Sequence, residues 1–147
     1  MAYELERVEV RLVKEPGFYS SKPIRTPDDA IEILAEEFKT YDREFMGVLN
    51  IAANGVPINF HVCHIGGLSQ SIVEPRQIMK AALLSNASGI IMVHNHPSGS
   101  LNPSSVDIET TKRIKECGDL LCISLLDHII IAGYSGEYVS LKNENAF

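Results

Sequence analysis

Hydrophobic and polar residues alternate with two distinct periods along the chain, and each period predicts a different kind of secondary structure. Residues 3–13, YELERVEVRLV, alternate roughly by two, which is typical of a strand with one buried face. Residues 15–27, EPGFYSSKPIRTP, contain three prolines and are interpreted as a connector. Residues 1–25 are therefore predicted to form an N-terminal strand and a connector.

Helical spacing first occurs after this connector. Residues 27–40, PDDAIEILAEEFKT, carry apolar side chains at intervals of three and four residues, which predicts an amphipathic helix. Thr26 is the predicted N-cap, with Pro27 in the first turn and Asp29 completing the cap. The apolar stripe of this helix consists of Ile31, Leu34, Ala35 and Phe38.

The rest of the chain alternates between short apolar runs and helical patterns. Asn54-Gly55 lies between two apolar runs, a combination that indicates a β-hairpin. This order of elements predicts an α/β (α+β) fold, a mixed β-sheet flanked by helices, in one layered domain over residues 26–141 with a frayed tail over 142–147. The remaining elements are predicted as a helix over 74–87, a buried strand over 88–96, a helix over 104–118 that ends at Gly118, and strands over 122–133 and 136–141.

The composition is that of an ordinary globular domain. The chain has 147 residues, of which 45% are hydrophobic and 22% are charged. This length can bury a core without disulfides or metal clips. A bound metal would therefore serve function rather than hold the fold together.

Charge and cysteine content narrow the classes of function. The formal net charge is −6, which disfavours non-specific binding to nucleic acid because DNA-binding proteins usually present a basic face. The chain contains no run of 18 apolar residues, so no membrane span is expected. The charged N-terminus does not resemble a secretory signal, and three cysteines without a regular framework indicate a reducing compartment. We predict a cytoplasmic protein.

Residues 92–116, MVHNHPSGSLNPSSVDIETTKRIKE, carry the candidate chemistry. His94 and His96 are two residues apart near a strand end, so both imidazoles point to the same face. Asp107, in the first turn of the next helix, can fold back and complete a set of two nitrogens and one carboxylate oxygen. Imidazole suits zinc, and three protein ligands with water in the fourth position are typical of catalytic zinc.

A structural interpretation of the same residues is equally open at this point. Ser104 and Asp107 have the spacing of a capping box, in which the aspartate would serve only the helix N-terminus. His94 and His96 would then be polar residues that leave the core before a turn. The local pattern alone leaves the metal site and the capped helix as alternatives.

This stretch closely resembles the RadC family of the JAMM (MPN-type) metalloprotease superfamily. The superfamily pattern is His-x-His-Pro, a short loop and then Ser-x-x-Asp. The more detailed sequence HNHPSG…PS…D…T is similar to RadC-like members in particular. The stretches SIVEPRQIMKAALLSNASGIIMVHNHPSG and LLDHIII also look like this family, so the resemblance covers about residues 24–141. The residues that match the superfamily pattern are His94, His96, Pro97, Ser104 and Asp107.

The resemblance implies an MPN/JAB1-type, cytidine-deaminase-like layered fold and a zinc-dependent metallopeptidase that hydrolyses amide or isopeptide bonds with an activated water. His94, His96 and Asp107 would hold Zn²⁺. Ser104 would donate a hydrogen bond to the developing oxyanion. The superfamily also has a general-base glutamate on an upstream strand, and its best match here is Glu44 in REFMGVLNI. The weaker alternatives are Glu36, Glu37 and Glu74.

Two competing functions accompany the same resemblance. RadC proteins are traditionally described as DNA-repair factors, so the first alternative is a DNA-repair-associated accessory protein. Larger members carry a helical DNA-binding-type region before this domain, which this chain is expected to lack because its first predicted element is a strand. The second alternative is an MPN binding module without turnover. The expected partner is a peptide or protein substrate, not nucleic acid or membrane, and a homodimer is a further expectation because MPN-type domains often pair.

Other polar residues have weaker claims to a functional role. His61, Cys63 and His64 in HVCHIG are interpreted as strand residues without a ligand role. His128, on a buried strand, is either a satisfied core histidine or a partner of the metal ligands, and the first interpretation is favoured. The sequence HNH lacks the glutamate of the zinc deaminases, whose pattern is H-x-E followed by P-C-x-x-C, so deamination is excluded.

Overall fold

The computed structural model of the protein describes residues 1–66 and 73–147. Within these residues, none of the helices combines the length and the apolarity that are needed to cross a bilayer. The elements in chain order are α1 (Pro27–Lys39), β1 (Phe45–Ile51), β2 (Pro57–Ile65), α2 (Pro75–Leu84), β3 (Gly89–His96), α3 (Ser105–Leu121), β4 (Ser124–Ala132) and β5 (Tyr138–Ser140).

The strands form one mixed sheet in the order β2-β1-β3-β4-β5. β3 and β4 are parallel, whereas all other neighbouring strands are antiparallel. The parallel pair is connected through α3, since parallel neighbours need a long crossover. The hairpin at Asn54-Gly55 joins β1 to β2, and Gly55 has a φ of +86°, a left-handed value that glycine adopts without strain. The predicted mixed sheet flanked by helices is confirmed.

The two faces of the sheet are covered by different helices. Phe38 of α1 packs in one core cluster with Leu49 of β1 and other odd-numbered strand residues. Ile114 of α3 packs in a second cluster with Met92 of β3 and other even-numbered residues of β1 and β3. Because successive strand residues point to opposite faces, the even-numbered positions of β1 and β3 face α2 and α3. This parity decides which side chains can meet the start of α3.

The predicted beginning of α1 is confirmed in detail. Thr26 is the N-cap, its side chain accepts a hydrogen bond from the Asp29 backbone N–H at 3.3 Å, and the Asp29 carboxylate accepts from the Thr26 backbone N–H at 2.9 Å. Leu34 and Phe38 of the predicted stripe are buried against the sheet. The helix is thus specified by its cap and by its apolar face together.

Two predictions about the ends of the chain are wrong. Residues 3–13 form no strand, and each of them is exposed. An alternating pattern gives a strand only where a neighbouring strand pairs with it, and residues 3–13 pair with no strand of the sheet β2-β1-β3-β4-β5. At the other end, residues 142–147 are not frayed. The Ala146 N–H donates to the Leu141 carbonyl at 2.9 Å, and Phe147 packs against the core cluster beneath α2 and α3.

The predicted end of α3 at Gly118 is also wrong. The helix continues to Leu121 and is followed by Cys122 in the left-handed conformation with a φ of +58°. Gly118 serves a different purpose, because a Cβ at this position would lie 2.2 Å from the carbonyl oxygen of Ile123. The glycine therefore allows the chain that leaves α3 to pass closely across the helix on its way into β4.

This close approach predicts the effect of adding one methyl group. Gly118→Ala is expected to lower the free energy of unfolding by about 1–3 kcal/mol, the usual cost of overpacking, although alanine is the better helix former by ~1 kcal/mol. Urea unfolding measures the difference, with Glu116→Ala on the exposed side of α3 as the control. A Gly118→Ala protein as stable as the wild type would show that the Ile123 carbonyl does not occupy this position.

Candidate metal centre

The two histidines of the motif lie where β3 leaves the core. His94 and His96 occupy alternate positions at the end of β3, on the face that α3 covers. The crossover from β3 to β4 brings the first turn of α3 over this strand end, and Asp107 is the third residue of that turn. His94 and Asp107 are each only 1% exposed, whereas His96 is partly open to solvent. The folded chain thus brings together the three residues that the spacing predicted.

The donor atoms of these residues converge on one point. The Nε2 atoms of His94 and His96 are 2.9 Å apart. The Asp107 carboxylate oxygens lie 3.4 Å from the His94 Nε2 and 3.5 Å from the His96 Nε2. Ligands of a tetrahedral zinc at ~2.0–2.1 Å are separated from one another by roughly 3.3 Å. The three donor atoms therefore fit around one metal ion of this size.

The orientation of His96 is set by the loop that follows it. The His96 Nδ1 lies 2.8 Å from the Ser100 carbonyl oxygen, which can only accept a hydrogen bond. In the neutral imidazole the proton therefore lies on Nδ1, and the lone pair of Nε2 faces Asp107 and His94. This is the tautomer that a metal needs at Nε2.

Asp107 takes part in both arrangements that the sequence left open, the cap of α3 and the cluster with the two histidines. Its carboxylate accepts a hydrogen bond from the Ser104 backbone N–H at 2.7 Å, and the Ser104 hydroxyl oxygen accepts from the Asp107 N–H at 3.0 Å. This is a complete capping box at the N-terminus of α3. The same carboxylate also reaches both imidazoles. The helix cap thus holds the carboxylate in place beside the histidines.

The charges of the cluster favour an ionised carboxylate. Burial raises the pKa of Asp107, but the hydrogen bonds and charges of His94 and His96, together with the Ser104 backbone, outweigh it and hold that pKa well below its ordinary value. The Asp107 carboxylate in turn raises the pKa of His96, against the opposing effect of burial. The Asp107 carboxylate therefore stays ionised beside the two imidazoles.

Glu44 lies beside this cluster, immediately before β1. By the parity of the strand, Glu44 shares its face with Met46, and Met46 is the direct partner of His94 across the sheet. The charge of Glu44 contributes to the raised pKa of His96. The Glu44 carbonyl accepts a hydrogen bond from the Gly66 N–H at 2.8 Å, which continues the pairing of β1 with β2 beyond the strand end. Glu44 thus faces the same end of the sheet as the three donor residues.

Asn95 accounts for the position of Glu44 and was not predicted to have a role. Its side chain points away from the histidines, is 1% exposed, and bonds the residues on both sides of Glu44. The Asn95 amide donates to the Arg43 carbonyl at 2.9 Å, and its oxygen accepts from the Phe45 N–H at 2.8 Å. The middle residue of HNH therefore ties β3 to the backbone that carries the glutamate.

The three weaker glutamate candidates lie elsewhere. Glu36 pairs with Lys39 at 2.7 Å, and Glu37 accepts a hydrogen bond from the Tyr41 hydroxyl at 3.0 Å. Both residues lie on α1, which covers the opposite face of the sheet from α3. Glu74 is the N-cap of α2 and forms a capping box with Gln77. These glutamates have local structural partners.

His128 is fully buried next to the cluster, and it contacts Thr111, a residue that sequence reasoning missed. The His128 Nε2 lies 2.7 Å from the His94 Nδ1, and its Nδ1 lies 2.6 Å from the Thr111 hydroxyl. Burial lowers the pKa of His128 well below its ordinary value, and the charge of His94 lowers it further. Two signals pointed to this part of α3: the RadC-like pattern contains a threonine after the aspartate, and the spacing of four residues from Asp107 places Thr111 on the same helix face.

The residues around Cys63 show no comparable convergence. The Cys63 thiol donates a hydrogen bond to the Met46 carbonyl at 3.2 Å, and burial raises its pKa to about 12. It therefore stays a protonated thiol at neutral pH. Across residues 1–66 and 73–147, the group of histidine, cysteine and acidic side chains that could hold a metal ion is His94, His96 and Asp107.

The family model and the similar proteins found by comparison agree on one family. The model of the RadC-like JAB domain matches residues 24–146. A UPF0758 protein of Clostridium novyi (strain NT) is 43% identical over 122 residues, which are 83% of this chain and 53% of that protein. A UPF0758 protein of Staphylococcus haemolyticus (strain JCSC1435) is 40% identical over 147 residues, 99% of this chain and 61% of that protein.

A UPF0758 protein of Bacillus cereus (strain G9842) is 39% identical over 143 residues, which are 97% of this chain and 61% of that protein. The chain thus spans between 53% and 61% of the length of these relatives. Their names state no activity. The match of the family model over most of the chain, on a sheet and helices of the expected kind, leads to one conclusion: this chain belongs to the family of RadC-like JAB domains.

Proposed function

We propose that this domain is a zinc-dependent metallopeptidase that hydrolyses amide or isopeptide bonds. The observation that carries the proposal is the convergence of two imidazoles and one carboxylate, whose donor atoms lie within 4.8 Å of one another. Membership of the JAB family, whose domains can be hydrolytic, supports an enzymatic use of this cluster. The end of β3 carries the two histidines, and the capped start of α3 carries the aspartate.

Zinc is the metal that suits this set of donors best. Two histidine nitrogens and one carboxylate oxygen are ligands of catalytic zinc sites, which keep a fourth position for water or substrate. Magnesium and calcium prefer sites made of oxygen alone. His96 lies at the solvent-exposed edge of the cluster, so a substrate can approach from that side. When bound at such a site, zinc lowers the pKa of water from about 15.7 to about 7 and polarises the scissile carbonyl.

Glu44 acts as the general base and acid. Its carboxylate accepts a proton from the attacking water and returns this proton to the amine nitrogen that departs from the cleaved amide. Its place next to His96, together with the Asn95 hydrogen bonds on both sides of its backbone, supports this role. A positioned group of this kind accelerates a reaction by about 10²–10⁴-fold.

Ser104 stabilises the oxyanion that develops on the attacked carbonyl. Its hydroxyl oxygen accepts the capping hydrogen bond from the Asp107 N–H, so the hydroxyl proton is left to donate to a substrate. Ser104 is exposed to solvent, three residues before Asp107. The cap and the catalytic hydrogen bond use different sides of the same hydroxyl, and Ser104 can make both at once.

The proposed substrate is a peptide or protein, and nucleic acid is not expected to bind. The formal net charge of −6 disfavours phosphate contacts, since each of these requires a basic side chain. A cluster that is buried except at His96 opens to solvent on one side, which suits an extended chain that passes across this opening.

The experiment compares the protein stripped of metal with the same protein reconstituted with zinc. Both are incubated with a library of peptides that includes lysine isopeptides, and products are identified by mass spectrometry. Cleavage that requires zinc and stops when a chelator is added is the expected result. A protein that takes up no zinc after reconstitution would refute the metal site. Tight zinc binding without any cleavage would refute the hydrolase and leave a binding module.

A further inference from the structure

A buried chain of hydrogen bonds runs from the backbone of α3 to the back of His94. The Thr111 hydroxyl lies 2.6 Å from the Asp107 carbonyl oxygen and 2.6 Å from the His128 Nδ1. The His128 Nε2 lies 2.7 Å from the His94 Nδ1. Thr111 and His128 are 0% exposed and His94 is 1% exposed, so water does not compete for these groups.

The chemistry of the first link gives this chain a direction. A carbonyl oxygen can only accept, so the Thr111 hydroxyl must donate its single proton to the Asp107 carbonyl. Thr111 can then only accept from His128, which places the His128 proton on Nδ1. The Nε2 of a neutral, fully buried His128 is left as an acceptor, and it accepts from the Nδ1–H of His94. In a neutral His94 the Nε2 is then unprotonated, and it lies 3.4 Å from the Asp107 carboxylate.

We propose that Thr111 and His128 are positioning residues that hold His94 in the tautomer whose Nε2 can bind a metal. This inference rests on the proposed metal site. If each hydrogen bond of this series were donated in the opposite direction, the Nε2 of His94 would carry the proton and could not act as a ligand. The Ser100 carbonyl holds a proton on the Nδ1 of His96, so a neutral His96 has the same tautomer and offers its Nε2 to the same metal ion.

The adjacent residue of the helix provides a matched control. Thr110 is as buried as Thr111, at 0% exposed, and its hydroxyl has no hydrogen-bond partner in the described part of the chain. Thr110→Val and Thr111→Val therefore remove the same atoms from neighbouring buried positions of α3. Only the second change removes the hydrogen bonds of residue 111 to the Asp107 carbonyl and to His128. Thr111→Ser retains the hydroxyl and should keep the wild-type direction of these hydrogen bonds.

The first measurement needs no metal. The nitrogen-15 chemical shifts of the imidazole rings, recorded on the metal-free wild type at pH 7.5, report which nitrogen of each ring is protonated. We expect the proton on Nδ1 in both His94 and His128. Thr111→Val is expected to shift this proton to the Nε2 of His94, whereas Thr110→Val and Thr111→Ser keep the wild-type pattern. A wild-type His94 protonated at Nε2 would overturn the inference even if no variant folds.

The second measurement is zinc affinity by competition with a chromophoric chelator. Thr111→Val is expected to bind zinc about 10–100-fold more weakly, the usual cost of losing an outer hydrogen-bond partner of a ligand. Thr110→Val and Thr111→Ser should bind as the wild type does. Equal losses in Thr110→Val and Thr111→Val, or none in either, would overturn the inference. A wild type that binds no zinc refutes the proposed function instead, and the nitrogen-15 measurement then still decides the direction of the chain.

Discussion

Glu44→Gln is expected to slow peptide hydrolysis by about 10²–10⁴-fold while leaving zinc affinity unchanged. Glutamine preserves the size of the side chain and can still hydrogen bond, but it cannot accept a proton at neutral pH. Because Glu44 is not one of the three donor residues, its replacement should not remove a ligand. The rate under single-turnover conditions and the zinc content of the same sample together measure this separation.

The matched control is Glu36→Gln. Glu36 also lies on the N-terminal side of β1, but its carboxylate pairs with Lys39 on the opposite face of the sheet. Its replacement should change the rate of hydrolysis by less than a factor of about two, as is usual for a surface substitution. If Glu44→Gln retains full activity, Glu44 is not the base. If it loses zinc, its role is in the metal site and not in proton transfer.

Asp107→Asn is expected to weaken zinc binding by more than the ~10–100-fold that the loss of an outer partner costs, because it alters a ligand itself. Asparagine can still accept the hydrogen bond from the Ser104 N–H, so the cap of α3 is retained in part. It cannot supply the negative charge that lies between His94 and His96. Chelator competition measures the affinity, and circular dichroism shows whether the fold persists.

The chain contains its own control for the capping role of this aspartate. Asp29 occupies the same third position of a capping box, at the start of α1. Asp29→Asn removes an equivalent carboxylate from a helix N-terminus that lies on the other face of the sheet. We expect it to keep wild-type zinc affinity. Weaker zinc binding in both variants would mean that helix capping in general, and not ligation by Asp107, supports the metal.

The elements that depend on local pattern were predictable. The capping box of α1, the hairpin at Asn54-Gly55 and the buried run of β3 all follow from residues that are close in sequence. The segment over 3–13 has a comparably clear alternation and yet forms no strand. Its pattern states which face a strand would bury, but a strand forms only where a neighbouring strand pairs with its backbone, and no strand of the described sheet pairs with this segment. The glycine at position 118 is likewise explained by a tertiary contact, because the Ile123 carbonyl leaves no room for a side chain there.

The residues of the candidate site also fall into two groups, those that a local motif predicted and those that only tertiary contacts revealed. His94, His96 and Asp107 were predictable because a motif with fixed spacing contains all three, and the parity of β3 orients the two imidazoles. Asn95 and Thr111 were not predicted. Asn95 bonds backbone groups 50 and 52 residues away, and Thr111 meets a histidine 17 residues away. No local pattern reports contacts of this kind.

The amino-acid sequence by itself determined the periodic elements, the caps of α1 and α3, and the identity of the three donor residues, because each depends on residues within one turn, one strand or one loop. The tertiary structure decided how these donors are oriented and which glutamate lies beside them. The physical reason is that the crossover from β3 through α3 to β4 brings Thr111 and His128 behind His94. These contacts join residues that lie far apart in the sequence, so no local pattern specifies them.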